Sequence, residues 1–258
     1  MSAFAIAAEK DVPALEALWQ TCFGDAPTES RPFLTHSDIR VFAAYDDGRP
    51  VSMLCALPAT LVDNCGGERP CAYLYAVCTH PDFRGRGLSS GLLAYAEQAL
   101  RRAGFSCTAL VPANEKLFEF YQKSGYQTVF YQKKYEIAPG GVADIRPVDA
   151  AGYRALRELQ LYDRFVSFPE AMLALLPQRW RIETDAAVCC VAGAVQDGVL
   201  HLQELLPDVP EAAAALAAQL GCIRAEVRTP GGAHPFGMAK ALDASALPER
   251  AYLGVSFE

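Results

Sequence analysis

Leu74-Tyr75-Ala76-Val77-Cys78-Thr79-His80-Pro81-Asp82-Phe83-Arg84-Gly85-Arg86-Gly87-Leu88-Ser89-Ser90-Gly91-Leu92-Leu93 reads as a strand, a turn carrying two glycines, and the start of a helix. Backbone N–H groups at a helix N-terminus have no intrahelical partners and converge on one point. Glycine there lets a diphosphate approach without a Cβ in the way. Taken alone, Arg84-Gly85-Arg86-Gly87 also reads as a solvated basic turn. The strand before it, Pro81 fixing the exit, and the uninterrupted amphipathic run after it are the context an anion-cradling turn needs.

Downstream, Leu88, Leu92, Leu93, Tyr95, Ala96, Ala99 and Leu100 follow a helical period. Arg101 and Arg102 suit the negative end of the helix dipole, and Gly104 stops it. A strand from Phe105 to Val111 follows. Strand, loop, helix and strand make a crossover unit, so the two strands are expected to run parallel. Upstream, Ile6 to Trp19 reads as a short strand and a helix, with Asp11 as N-cap before Pro13 and an apolar stripe of Leu15, Leu18 and Trp19. Val41–Tyr45 and Val51–Val62 are strand-like and joined by Asp46-Asp47-Gly48-Arg49-Pro50, a hairpin turn. The expected fold is α/β (α+β), a mixed, mostly antiparallel twisted sheet flanked by helices.

After an apolar stretch from Tyr126 to Ile137, Ala138-Pro139-Gly140-Gly141 breaks both periodicities, which places a boundary between modules 1–139 and 140–258. The second module restarts the plan with Ile145-Arg146-Pro147-Val148-Asp149 and a helix-like run from Gly152 to Leu161. Strands follow at 187–196 and 199–206, a helix at 210–220, a strand at 223–229 and a final strand from Tyr252 to Phe257. It reads as a degenerate second copy, with an independent α+β domain of unrelated fold as the alternative. Its corresponding turn, Leu206-Pro207-Asp208-Val209-Pro210-Glu211, has no glycine. Two prolines there remove N–H donors, and two carboxylates repel an anion.

Composition bounds the function. The chain has 258 residues, 52% hydrophobic and 21% charged, an ordinary globular balance. Nine cysteines, an odd number mostly in apolar runs, fit cytosolic usage. No pair has zinc-ligand spacing, so no metal is expected. The N-terminus lacks the basic start and apolar stretch of a signal peptide, and no run approaches about 18 apolar residues. We therefore expect a cytoplasmic protein without membrane contact. A net charge of −7 with scattered acids gives no footprint for nucleic acid and favours a cationic partner. His36, His201 and His234 stand isolated, and Trp19 and Trp180 read as packing residues.

The turn resembles the acetyl-CoA signature of the GNAT family of N-acetyltransferases, Gln/Arg-x-x-Gly-x-Gly/Ala, with Arg84, Gly87 and Ser89 at its three positions. Ser89 departs from Gly/Ala and adds a hydroxyl. The resemblance implies that the N–H groups of Gly85, Arg86, Gly87, Ser89 and Ser90 hold the pyrophosphate, and that Val77 and Thr79 pair by backbone with the pantetheine arm. A second likeness is Asn114 followed seven residues later by Tyr121, and then Gly125-Tyr126. Read from spacing alone, Tyr121 is equally a core tyrosine, sharing a helix face with Leu117. The resemblance implies that Asn114 belongs to the cofactor site, that Tyr121 is the acid for the leaving thiolate, and that the Val77 N–H stabilises the oxyanion.

An amine with a pKa of about 10.4 must lose a proton before attacking. The carboxylate some relatives carry falls at Tyr73, and His80, Glu68 and Asp63 are the other candidates for a base. Two acetyltransferase modules in tandem resemble the enhanced-intracellular-survival type, without room for its sterol-carrier-like domain. The implied activity is acetyl transfer from acetyl-CoA to a primary amine of a small molecule or peptide. The alternatives are a non-catalytic acyl-CoA sensor and a protein lysine or N-terminal acetyltransferase. Neither the acceptor nor the oligomeric state is encoded in these motifs.

Overall fold

A computed structural model describes residues 3–257. Met1, Ser2 and Glu258, which the two expected modules include, lie outside the described residues. The chain divides into two units that do not follow chain order: the first takes residues up to Thr60, Arg69–Gln127 and Ala239–Leu247, the second the remainder.

The first unit begins with β1 (Ala3–Ile6), α1 (Val12–Phe23), α2 (Pro27–Thr35), β2 (Arg40–Asp46) and β3 (Arg49–Val62). It continues with β4 (Glu68–Thr79), α3 (Leu88–Arg102), β5 (Cys107–Leu110) and α4 (Glu115–Lys123). β2 pairs antiparallel with β1 and β3. The β2–β3 turn uses Asp47 and Gly48 at φ 47° and 78°, the left-handed pair that a tight hairpin requires. β4 and β5 run parallel with α3 between them, as the crossover reading requires. α1 buries Leu15, Leu18 and Trp19, and α3 buries Leu88, Leu92, Leu93, Ala96 and Leu100, so both apolar stripes face the sheet.

The second unit takes most of β6 (Gln127–Ile137), then β7 (Asp144–Pro147), α5 (Ala150–Gln160), β8 (Phe165–Ser167), α6 (Glu170–Leu173), β9 (Gln178–Glu183), β10 (Val188–Gln196), β11 (Val199–Leu206), α7 (Pro210–Gln219) and β12 (Arg224–Ala241) as far as Met238. Its strand order β7-β9-β10-β11-β12 repeats β1-β2-β3-β4-β5. The first three contacts are antiparallel and β11–β12 is parallel. α7 therefore occupies the place of α3 and packs Ala212, Ala213, Leu216 and Ala217 into the core with Leu200, Leu202 and Val227. The fold is thus the mixed, mostly antiparallel one expected.

Pro27 opens α2, and the Glu29 carboxylate accepts from the Ala26 N–H at 2.8 Å. Three local expectations need correction. Asp11 does not cap α1 with its side chain. Its carboxylate accepts instead from Ala8 N–H (2.9 Å) and the Tyr45 hydroxyl (2.8 Å), which hold it below the ordinary carboxylate range. The strand expected at 223–229 runs on to Ala241 through Pro230-Gly231-Gly232. The strand expected from Tyr252 to Phe257 is reduced to isolated bridges, at Ala251 with Phe130 and at Tyr252 with Phe165. Among the described residues, no helix is long and apolar enough to cross a membrane.

Candidate active site

The anion turn keeps the shape its glycines suggest. A 3-10 turn over Pro81–Phe83 leads to Gly85 and Gly87, at φ 76° and 74°, and Gly87 sits at the N-cap of α3 with no side chain capping the helix. A Cβ at either glycine would meet no atom within 4 Å, so no neighbouring group crowds the turn at these two positions. Both glycines are exposed, as are Arg84, Arg86 and Ser90, and Ser89 is partly buried. The first turn of α3 has no side-chain cap and carries the positive end of the helix dipole.

The arginines brace the turn. Arg84 Nε donates to the Thr79 carbonyl at 3.1 Å, and Arg86 donates to the Asp82 carbonyl at 2.9 Å with its guanidinium over the Phe83 ring at 4.7 Å. His80 Nδ1 accepts from the Asp82 N–H, the behaviour of a turn residue. Asp63 accepts from the N–H groups of Cys65 and Gly67, both at 2.8 Å, and so holds its own turn. Tyr73 is 1% exposed and stacks on Tyr75. Of the sequence's candidate bases, Glu68 alone is exposed and makes no such local bond.

β4 departs from regular strand geometry beside Val77. Ala76 adopts a left-handed backbone at φ 51°, a conformation that costs a non-glycine residue about 1–3 kcal/mol. The ladder to β5 pairs Cys71 with Cys107, Ala72 with Thr108 and Tyr73 with Ala109, and stops there. Val77 and Thr79 therefore lie past the paired part of the two parallel strands. The Thr79 hydroxyl is tied to Ser52 at 2.8 Å, and Ser52 donates to the Cys78 carbonyl at 2.7 Å. Nothing in the sequence pattern announces the turn at Ala76.

Tyr121 lies on α4, 5% exposed, with its ring edge-on to Phe120 and Tyr126. Burial pushes its phenol above the ordinary tyrosine range. The Tyr126 hydroxyl shares a 3.0 Å hydrogen bond with Thr108 on β5, so Tyr121 is set against β5 through its neighbour. Asn114 caps α4: its carbonyl oxygen accepts from the Leu117 N–H at 3.2 Å, leaving its NH2 as the group able to act on a ligand.

Residues 4–129 match the family described as Acetyltransferase (GNAT) domain. The chain carries a GNAT acetyltransferase domain. Solved structures agree in fold along nearly its whole length. A probable N-acyltransferase of Enterococcus faecalis V583 superposes with TM-score 0.69 at 17% identity, over 94% of this chain and 73% of that one. Eis1 of Mycobacterium abscessus gives 0.63 at 15%, over 94% and 74%. A tandem GNAT protein from the clavulanic acid biosynthesis pathway gives 0.57 at 11%, over 95% and 100%. No curated protein matches the sequence.

Outside the GNAT domain, the second unit's equivalent turn lies between β11 and α7. Asp208 sits at the α7 N-terminus and is held from β6 by Lys133 Nζ at 2.7 Å and the Tyr135 hydroxyl at 2.8 Å. A carboxylate with two partners of its own thus stands where the GNAT domain has open glycine backbone. Among the described residues, no group of three or more His, Cys, Asp and Glu side chains could hold a metal ion. The sequence reading missed the tie between Ser52 on β3 and the end of β4, because the Ser52 partners, the Cys78 carbonyl and the Thr79 hydroxyl, lie more than twenty positions away.

Proposed function

We propose that the protein is an N-acetyltransferase that moves the acetyl group of acetyl-CoA to a primary amine of a small molecule or peptide by direct attack. The observation that carries this reading is the open glycine turn at Gly85 and Gly87, ahead of an uncapped helix in a GNAT domain. The N–H groups of Gly85, Arg86, Gly87, Ser89 and Ser90 would hold the pyrophosphate. Backbone groups of Val77 and Thr79, past the end of the β4–β5 ladder, would hold the pantetheine arm, and the Asn114 NH2 would complete the binding set.

The amine nitrogen forms its bond to the acetyl carbon as the carbon–sulfur bond breaks. The Val77 N–H donates to the carbonyl oxygen, where charge develops. The departing thiolate takes its proton from the Tyr121 hydroxyl, which burial keeps protonated at neutral pH. The acceptor's proton leaves to water; His80 and Asp63 are engaged in their own turns. The net charge of −7 favours a cationic acceptor.

The test is acetyl-CoA turnover, followed by thiol release, with a mixed panel of small amines and a peptide library, and product masses identifying the acceptor. A mass gain of one acetyl group on an amine supports the reading. Tight acetyl-CoA binding without turnover on any amine would instead support a sensor.

A further inference from the structure

Thr79 ends β4, and the residues on either side of it are tied to β3. The Ser52 hydroxyl donates to the Cys78 carbonyl at 2.7 Å, and the His80 N–H donates to the Val51 carbonyl at 2.9 Å. The carbonyl and the N–H of one trans peptide point in opposite directions. With the Cys78 carbonyl turned toward β3, the Thr79 N–H of the same peptide turns away from it. The next peptide works in the same sense: its N–H, on His80, faces β3, so its carbonyl, on Thr79, faces away. That carbonyl accepts from Arg84 Nε at 3.1 Å. Because β4 lies between β3 and β5, both backbone groups of Thr79 face the β5 side. They do so beyond Tyr73, where the β4–β5 ladder stops.

A hydroxyl carries one proton. Ser52 gives its proton to the Cys78 carbonyl, so in the 2.8 Å contact between Ser52 and Thr79 the Thr79 hydroxyl is the donor. The result is a chain from the Thr79 hydroxyl through the Ser52 hydroxyl to the Cys78 carbonyl, in which each bond polarises the next. Ser52 is fully buried, so bulk water cannot stand in for its hydroxyl. This end of β4 also lies past the left-handed Ala76 and past the pairing with β5. Its tie to β3 is what fixes the direction of its peptides.

We propose that Ser52 is a positioning residue for acetyl-CoA: through the Cys78–Thr79 peptide, its hydroxyl aims the Thr79 backbone at the pantetheine arm. This role rests on the acetyl-CoA reading above, in which that arm pairs with Val77 and Thr79. The Thr79 carbonyl has two lone pairs and can accept from the arm while Arg84 holds it. Backbone groups already aimed bind an extended amide chain without first losing their own freedom, so the effect falls on affinity. The Val77 N–H belongs to the earlier Ala76–Val77 peptide, whereas Ser52 bonds further along, at Cys78 and Thr79. Loss of the Ser52 hydroxyl therefore raises the KM for acetyl-CoA more than it lowers kcat.

The experiment compares Ser52→Ala, Ser52→Thr and Ser52→Val with the parent, in the full chain, by calorimetric titration with CoA and by urea unfolding. Threonine and valine have nearly the same shape and differ in the hydroxyl, so crowding at this buried position is common to both. Ser52→Ala and Ser52→Val should bind CoA roughly three- to tenfold more weakly, the worth of one neutral hydrogen bond. Ser52→Thr, which restores a hydroxyl, should bind more tightly than Ser52→Val. If the variants at position 52 do not fold, Thr79→Val removes the hydroxyl that donates to Ser52 and should weaken CoA binding in the same direction. Once an acceptor is found, the KM for acetyl-CoA should rise in Ser52→Ala with kcat little changed. Parental CoA affinity in folded Ser52→Ala, with only the unfolding midpoint lowered, would show a purely structural serine and overturns the proposal. Equal affinities of Ser52→Thr and Ser52→Val overturn it too. Both outcomes leave the acetyl-CoA reading standing, because the parent still binds. A parent that binds no CoA overturns that reading and the role of Ser52 with it.

Discussion

Lys240, near the end of the last long strand, places its Nζ 2.5 Å from the Glu97 carboxylate in the middle of α3 and 5.7 Å above the Tyr126 ring. Its segment, Ala239–Leu247, belongs to the first unit. Leu242 N–H donates to the Ser106 carbonyl at 2.8 Å, and Arg69 donates to the Ser245 hydroxyl at 2.8 Å and the Ala246 carbonyl at 3.0 Å. The sheet that carries the anion turn is thus closed beside β5 by residues more than a hundred positions further along the chain.

This closure predicts that Lys240→Met destabilises the protein, because Glu97 is buried and its other oxygen already lacks a partner. The cost is about 1–3 kcal/mol, that of stranding a buried polar group. The double variant Glu97→Leu/Lys240→Met should recover part of it. Urea unfolding of the two variants measures this, and an unchanged midpoint for Lys240→Met would refute it.

Gly87→Glu should abolish acetyl-CoA binding in a folded protein. The site has room for a side chain, so the change adds a positive-φ strain of about 1 kcal/mol and a negative charge where the pyrophosphate would lie. Gly87→Ala carries the strain without the charge and should bind more weakly than the parent but measurably. Calorimetry should give one acetyl-CoA per intact chain and none for Gly87→Glu. A stoichiometry of two would mean that the turn guarded by Asp208 binds after all.

Tyr121→Phe keeps the ring contacts with Phe120 and Tyr126 and removes the proton. Turnover should fall by roughly 10²–10⁴, with acetyl-CoA affinity little changed. Burial disfavours the phenolate and raises the pKa, so Tyr121 keeps its proton as pH rises through the ordinary tyrosine range. The parent's kcat should therefore show no alkaline decline from this group up to about pH 10. Wild-type turnover in Tyr121→Phe would leave Tyr121 as a core residue.

In the second unit, Arg157 and Glu204 are fully buried partners at 2.9 Å. Tyr153 also donates to Glu204, and Arg157 donates to the carbonyls of Val166 and Leu253. Arg157→Met should cost roughly 3–5 kcal/mol, because it leaves a buried carboxylate without its cation. Thermal unfolding measures the loss; a shift within error of zero would show the pair to be dispensable.

The elements that local pattern specifies were legible. The helical stripes Leu15-Leu18-Trp19 and Leu88 to Leu100 bury as their spacing demands, the Asp47-Gly48 hairpin forms, and the turn from Arg84 to Ser90 stands between strand and helix. Each depends on residues within a few positions of one another, so the period and the turn chemistry suffice. The helix α2 has no such signature: Pro32 lies inside it, and Phe33 packs against Trp19 and Tyr75, partners distant in sequence.

What only the tertiary structure decided depends on partners distant in sequence. The left-handed Ala76 leaves no mark in an apolar run, because the packing around β4 sustains it, not the alanine. Trp19 and Tyr75 meet only once α1 lies on β4. Residues 239–247 join the first unit because Lys240, Leu242, Ser245 and Ala246 find their bonding groups there. Sequence pattern records a residue's preference for a local conformation. The pairing of a buried charge or an unfilled sheet edge is settled by whichever segment the fold brings close enough to satisfy it.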